Sequence, residues 1–372
     1  MTSWKTYRLG DICDYVTSRT SRIENYISTE NMLPNKGGVC APSNVPSGAA
    51  VEYKVGDILI SNIRPYFQKI WQANCNGACS ADVLCIRANN KADSKYLFYL
   101  LSQQLFFDYV MSGAKGCKMP RGDKKQIMQW QISLPTLEEQ RRIVGILGAI
   151  DDKIENNRRI NTNLELQAQA LFDEWFITNT SRLGAFSKAY LTDIANYLNG
   201  LAMQRFRPLE GEIGIPVLKI KELGQGQCDS SSDLCSPSIE EKYIVRDGDI
   251  IFSWSGTLLV DIWCGGVCGL NQHLFKVTSD KYPQWFIYYW TKHHLAKFIR
   301  IAKDKAVTMG HIKRGDLETS EVLIPDEKSF AEIDKAVFPI FKAIIANRIA
   351  NRRLATLRDT LLPKLMNGEI KL

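Results

Sequence analysis

Five short motifs recur in the same order about 190 residues apart, so the chain is written twice. Leu9-Gly10-Asp11-Ile12 returns as Leu191-Thr192-Asp193-Ile194. Val55-Gly56-Asp57-Ile58-Leu59-Ile60-Ser61 returns as Asp247-Gly248-Asp249-Ile250-Ile251-Phe252-Ser253. Cys75 and Cys79 are matched by Cys264 and Cys268, and Tyr96–Leu100 by Trp285–Tyr289. Finally Ile132-Ser133-Leu134-Pro135 is matched by Val322-Leu323-Ile324-Pro325. Such a period is far too long for a solenoid. Two similar domains follow, a division that a length of 372 residues allows. Within each copy a Gly-Asp turn leads into an apolar triplet that reads as a buried strand. Loops rich in Pro, Ser and Gly precede it (42–49 and 230–238), and the aromatic segments 96–110 and 285–301 suit helices. Each copy is expected to be an α+β domain.

After each closing proline the pattern changes. Ile143, Leu147, Ile150, Ile154, Asn157, Asn161, Leu164, Ala168, Leu171 and Trp175 step by four and three without a slip. That alternation is a heptad seam on a long helix. Adding 190 gives Ile333, Val337, Ile340, Ile344, Asn347, Asn351, Leu354, Arg358, Leu361 and Leu365, the same seam broken only at Arg358. A regular seam points to two helices that pair with each other, whereas a helix lying on its own domain shows a wider stripe. The expected pairing core is Ile150, Ile154, Asn157, Asn161 and Leu164 with Ile340, Ile344, Asn347, Asn351 and Leu354. If a two-fold axis relates the copies, the helices run antiparallel, and Asn157 faces Asn351 while Asn161 faces Asn347. Pro339 and Pro363 predict a kink or interruption in the second helix. The expected order is a first domain over 1–135, a spacer helix over 136–178, a second domain over 179–325 and a second spacer helix over 326–372.

Two similar domains on a stiff helical spine suit duplex DNA, whose own two-fold axes let related modules dock on successive grooves. The unread spacer between the two contacts would then be set by the helices. A net charge of +7 is compatible with a polyanion but decides little alone. The placement of the charge is more informative. Lys115, Lys118, Arg121, Lys124 and Lys125 precede the closing strand of the first copy, and Lys303, Lys305, His311, Lys313 and Arg314 that of the second. Basic side chains reach phosphates, and forked ones read base edges. Arg64 with Tyr66, Arg205 with Arg207, and Gln272 with His273 are further candidates; His273 equally fits a satisfied structural histidine. Ten cysteines without a Cys-x-x-Cys pair read as reduced, largely buried thiols, and no metal is expected. No apolar run approaches the ~20 residues of a membrane span, and no leader pattern is evident. A cytoplasmic protein is expected.

Pro135-Thr136-Leu137-Glu138-Glu139-Gln140-Arg141-Arg142-Ile143 resembles the Pro-x-x-x-Glu-Gln-x-x-Ile motif that opens the first conserved helix of Type I restriction–modification specificity subunits. Leu171-Phe172-Asp173-Glu174-Trp175-Phe176 looks like that helix's end, and Leu361-Leu362-Pro363-Lys364-Leu365-Met366-Asn367-Gly368-Glu369-Ile370 is similar to the family's C-terminal signature. The likeness spans the whole chain. It departs at Phe330, which stands where Gln140 stands in the first copy. The resemblance implies two target-recognition domains separated by two antiparallel coiled-coil helices, each domain reading half of a bipartite, asymmetric DNA site. It also implies two methyltransferase subunits as partners, which methylate adenine N6 with S-adenosylmethionine, and motor–nuclease subunits that use ATP and Mg. Catalysis would belong to those partners. The sequence accords with this. It holds no Asn-Pro-Pro-Tyr or Asp-Pro-Pro-Tyr, no glycine-rich methyl-donor loop and no Gly-x4-Gly-Lys-Ser/Thr phosphate loop. Pro325-Asp326-Glu327-Lys328 resembles a nuclease carboxylate cluster, but it occupies the turn matched by Pro135–Glu138 and reads as an acidic helix start. A stand-alone nuclease and a scaffold that touches no DNA are the competing classes.

Overall fold

The computed structural model describes residues 4–42, 44–178, 185–304 and 310–372. The chain divides into two compact units, Met1–Asp152 with Thr356–Leu372, and Lys153–Ala355.

In the first unit the strand Ile58–Ser61 lies inside a four-stranded antiparallel sheet, between Val83–Ala88 and Ile70–Gln72, with Cys13–Tyr15 outermost. Its residues alternate between two cores. Ile58 and Ile60 pack with Tyr96, Leu97 and Phe106, while Leu59 packs with Tyr53, Cys79 and Cys85. A strand covered on both faces reads as a continuous apolar run. A three-stranded sheet (Arg19–Thr20, Ala50–Tyr53, Gly77–Cys79) carries the second core. The domain closes on itself by pairing its first strand, Lys5–Arg8, with its last, Gln131–Leu134.

The second unit repeats the scheme. Ile250–Ser253 lies between Leu274–Thr278 and Leu259–Ile262, with Asn196–Asn199 outermost, and Phe186–Tyr190 pairs with Glu321–Pro325. Ile250 and Phe252 face one core, and Ile251 faces another with Trp263 and Cys268. The repeated cysteines thus have a packing role: Cys79 and Cys268 are fully buried opposite Leu59 and Ile251. Ten cysteines are unbridged, and among the described residues no group of His, Cys, Asp and Glu could hold a metal ion.

Local differences from the sequence expectations have simple causes. The segment 96–110 is two helices, Ser94–Leu101 and Gln104–Ser112, because Gln103 is extended (ψ 149°) between them. The matching segment is one helix, Gln284–Asp304. The loop 230–238 contributes a short strand, Leu234–Cys235, paired with Ile215 and Pro216.

The long helices are Leu137–Asp173, ending in a π-turn over Glu174–Thr178, and Glu327–Met366. The second runs unbroken through Pro339 and Pro363, against the expected interruption. Both prolines are exposed, so the carbonyl that each leaves unpaired one turn earlier can turn to water. No seam position of either helix is exposed. Within the second unit the helices pair antiparallel. Asn157 Nδ2 donates to Asn351 Oδ1 at 2.8 Å, and Asn347 Nδ2 to Asn161 Oδ1 at 2.8 Å. The remaining donors are used symmetrically, Asn161 on the Ile344 carbonyl (3.0 Å) and Asn351 on that of Ile154 (3.2 Å). Ile150, Leu164, Ile340 and Leu354 are half-buried, and Ile154 and Ile344 buried.

Pairing and lying on a domain are both realised, not one in place of the other. Ile143, Leu147, Leu362 and Leu365 belong to the first domain's core, and Ala168, Phe172, Ile333 and Val337 to the second's. Arg358, the break in the seam, is neutralised locally. Its guanidinium donates to Asp151 (2.9 Å), whose other oxygen accepts from Tyr99 Oη (2.6 Å).

The asparagine cluster makes a sharp prediction. Asn157→Leu alone strands the Asn351 amide in a half-buried seam and is expected to cost about 1–3 kcal/mol. Adding Asn351→Leu should recover most of that loss, since two apolar partners replace two polar ones. Denaturant unfolding of the single and double variants measures it, and additive losses would contradict the pairing.

Candidate nucleic-acid interface

In the first domain the basic segment is a hairpin. Lys115 and Arg121 exchange backbone hydrogen bonds at 3.0 and 2.9 Å, and Gly116, at φ +99°, opens the turn between them. The hairpin leans on the chain leaving the central strand. Arg64 N donates to the Pro120 carbonyl (2.8 Å), and Arg121 bridges to Ile63. Arg64 and Tyr66 are thereby brought to the hairpin's side. Lys124 and Lys125 follow at the start of the short helix Lys124–Ile127, capped by Asp123.

The charges divide into two kinds. Lys115 Nζ is 3.0 Å from Asp123, and Arg121 is 3.2 Å from Asp82. The Lys115 ammonium, aided by the Gln126 and Lys125 amides, holds the Asp123 carboxyl below its usual range. Lys118, Lys124 and Lys125 are exposed and make no ion pair among the described residues. They are the cations available to a phosphate backbone. Arg64 is half-buried at φ +50°, and its Nε is buried without a partner, as is Asn62 Oδ1. Backbone in the left-handed region costs a non-glycine residue roughly 1–2 kcal/mol, so the surrounding structure must enforce it.

The second domain builds the same joint from other residues. His311 bridges to Ser255, Gly256 N donates to the Gly310 carbonyl (3.0 Å), and Ile312 N donates to that of Trp254 (3.1 Å). Ser61 and Ser253 even share a detail, each Oγ bonding the carbonyl two residues on. His273 joins this joint through Nδ1, 3.0 Å from Ser255 Oγ, with Gln272 beside its other nitrogen at 3.4 Å. Those contacts make His273 a positioned, half-buried ring. Trp254 lies between them, its ring 6.0 Å from that of His273 and 6.4 Å from that of His311, its indole N–H on Asn199 (2.9 Å). Lys313 precedes the helix Arg314–Glu318, whose first turn Asp316 caps, and Arg314 reaches Glu318 at 3.7 Å. Lys303 is exposed near the end of Gln284–Asp304; Lys305 lies outside the described residues. Arg205 and Arg207 are exposed elsewhere, Arg207 lining a small hollow with Lys219, Asp233 and Asn271. Sequence reasoning passed over Trp254, Asn62 and Phe67. Asn62 and Trp254 each follow directly on the repeated strand that ends in serine, a signal of position, whereas the exposure of Phe67 shows only in the fold.

Residues 1–166 match the family model described as the Type I restriction modification DNA specificity domain. The Type I restriction enzyme MjaIX specificity subunit of Methanocaldococcus jannaschii is 28% identical over 75% of this chain and 69% of its own. The HindI specificity subunit of Haemophilus influenzae is 23% identical over the full length of both chains. The crystal structure of a Type-I restriction-modification system S subunit from M. genitalium shares the fold, with a TM-score of 0.58, 14% identity, and coverage of 98% of this chain and 96% of the other. The chain is similar along its length to Type I restriction–modification specificity subunits, and its first 166 residues match their specificity domain.

The specificity-subunit motifs now have physical content. Gln140 is fully buried. Its Oε1 accepts from Asp93 N (2.8 Å), and its Nε2 donates to the carbonyls of Lys91 (3.1 Å) and Pro135 (3.0 Å). It rivets the first long helix to its own domain. In the second copy Phe330 does that work with rings, 5.2 Å from Phe286 and 5.8 Å from Trp285. The substitution changes the fastening and leaves the architecture. The acidic turn is also a helix start, since Asp326 accepts from Ser329 N at 2.9 Å. That amide holds the Asp326 carboxyl below its ordinary value. Among the described residues no helix is long and apolar enough to cross a membrane.

Proposed function

We propose that this chain is a specificity subunit, which reads DNA and leaves the chemistry to its partners. Each globular domain takes one half of a bipartite, asymmetric site. The observation that carries this reading is the pair of equivalent joints, Ile63–Arg121 and Ser255–His311, each presenting basic side chains beside an aromatic one. The side chains differ between the joints, so the two half-sites differ. Two methyltransferase subunits bind the chain and methylate adenine N6 in each half-site with S-adenosylmethionine. Motor–nuclease subunits, using ATP and Mg, complete a complex that cuts unmodified DNA.

The test is binding of the purified chain, with its methyltransferase partner, to duplexes carrying the host's methylated motif. Tight binding that weakens steeply as salt rises is expected, and permuting either half-site should abolish it. Binding that ignores sequence and salt would favour a scaffold. Metal-dependent cleavage by the chain alone would favour a nuclease.

A further inference from the structure

At the joint in the first domain, residues 62–69 connect two strands of the central sheet; in the second domain residues 254–258 suffice. The longer connection holds a 3-10 turn, Pro65–Phe67, bracketed by Arg64 and Gln68, both at φ +50°. Its backbone is pinned on both sides. Arg64 N donates to Pro120, while the Phe67 and Gln68 carbonyls accept from Asn35 N (2.8 Å) and Lys36 N (3.0 Å). This rigid turn displays an aromatic pair. The rings of Tyr66 and Phe67 are 4.6 Å apart, and the residues are 49% and 38% exposed. Two packed aromatic rings left to solvent on a strained and anchored backbone lack a structural purpose, since neither belongs to a core. At the matching place in the second domain Leu258 is buried, and the one aromatic residue, Trp254, is half-buried against Phe275.

We infer that Tyr66 and Phe67 form a wedge that enters a base step of the first half-site and unstacks it, with Arg64 and Lys118 on the flanking backbone. Apolar wedges flanked by basic residues kink duplex DNA by parting one step, and a ring stacked on the exposed base replaces the stacking that is lost. Backbone pinning matters because a mobile turn would lose entropy on entering the stack. Asn62 adds a second sign of a missing partner, being 8% exposed with a buried Oδ1 that bonds nothing. The inference rests on the DNA-reading function and specifies how one half-site is distorted; apart from the adenine that the methyltransferase flips out, the second half-site is predicted to remain stacked.

The test places 2-aminopurine in turn at each position of the first half-site except the methylated adenine and its two neighbours, where base flipping by the methyltransferase would itself raise the signal, in the complex of the full chain with its methyltransferase. A several-fold fluorescence rise at one or two adjacent positions is expected. The double variant Tyr66→Ala/Phe67→Ala should abolish that rise and weaken site binding about tenfold. Its melting temperature should match the parent's, because both rings are on the surface. A flat signal throughout the first half-site in a complex that binds would overturn the wedge alone, and so would a rise that survives in the double variant. Failure to bind any bipartite sequence would strike the DNA-reading function itself.

Discussion

Phe172→Ala is expected to destabilise the second domain by about 3–5 kcal/mol, the largest single loss anticipated in the chain. Phe172 is fully buried where the first long helix ends, with Phe176 at 5.0 Å, Trp290 at 5.2 Å and Tyr289 at 5.6 Å. The π-turn that follows widens the helix by a residue just where Phe172 and Phe176 enter the core together. Truncation leaves a cavity walled by rigid rings that cannot collapse into it. The Leu-Phe-x-x-Trp-Phe signature is thus a socket joint between spine and domain. Denaturant unfolding monitored through the tryptophans of the second domain checks it. A loss below about 1 kcal/mol would mean that the aromatic cluster repacks freely.

Replacing Lys118, Lys124 and Lys125 together by Ala should leave folding intact and flatten the salt dependence of DNA binding. These lysines make no ion pair among the described residues, so each can release a counterion on meeting a phosphate. Three lost contacts lower the slope of log affinity against log salt by about 2.7, a roughly 40-fold smaller change between 50 and 200 mM salt. Lys115→Ala should matter less, because Asp123 already holds that ammonium. Titrations at four salt concentrations would separate the two groups; an unchanged slope in the triple variant would remove this face from the DNA.

The spine was legible in the sequence because its rule is one-dimensional. A four-three rhythm and a constant sum of residue numbers suffice to pair Asn157 with Asn351 and Asn161 with Asn347. Duplicated motifs likewise disclosed two domains of one design, since equal packing problems select equal residues, as with Cys79 and Cys268. The interface was harder to read. Basic residues were visible as clusters, but which of them are already engaged is set by the fold, with Arg121 held by Asp82 from a distant segment and Lys115 by Asp123 across the hairpin. Tyr66 was noticed and Phe67 was not, because exposure of an aromatic residue is a property of the folded surface. His273 illustrates the same limit, its ring being fixed by a serine eighteen positions away. Pro339 and Pro363 misled for a local reason: helix propensity penalises proline, yet on a water-facing side of a well-anchored helix the chain continues through it.

Methylation-resolved sequencing of the host genome, before and after disruption of this gene, bears most directly on the claim that two unlike readers share one site. Modified adenines in a motif of two different half-sites around a fixed unread gap, all lost on disruption, are predicted. Replacing residues of only the first joint should alter only one half of that motif. Adenine marks that persist without the gene, or that follow a single undivided motif, would contradict the account.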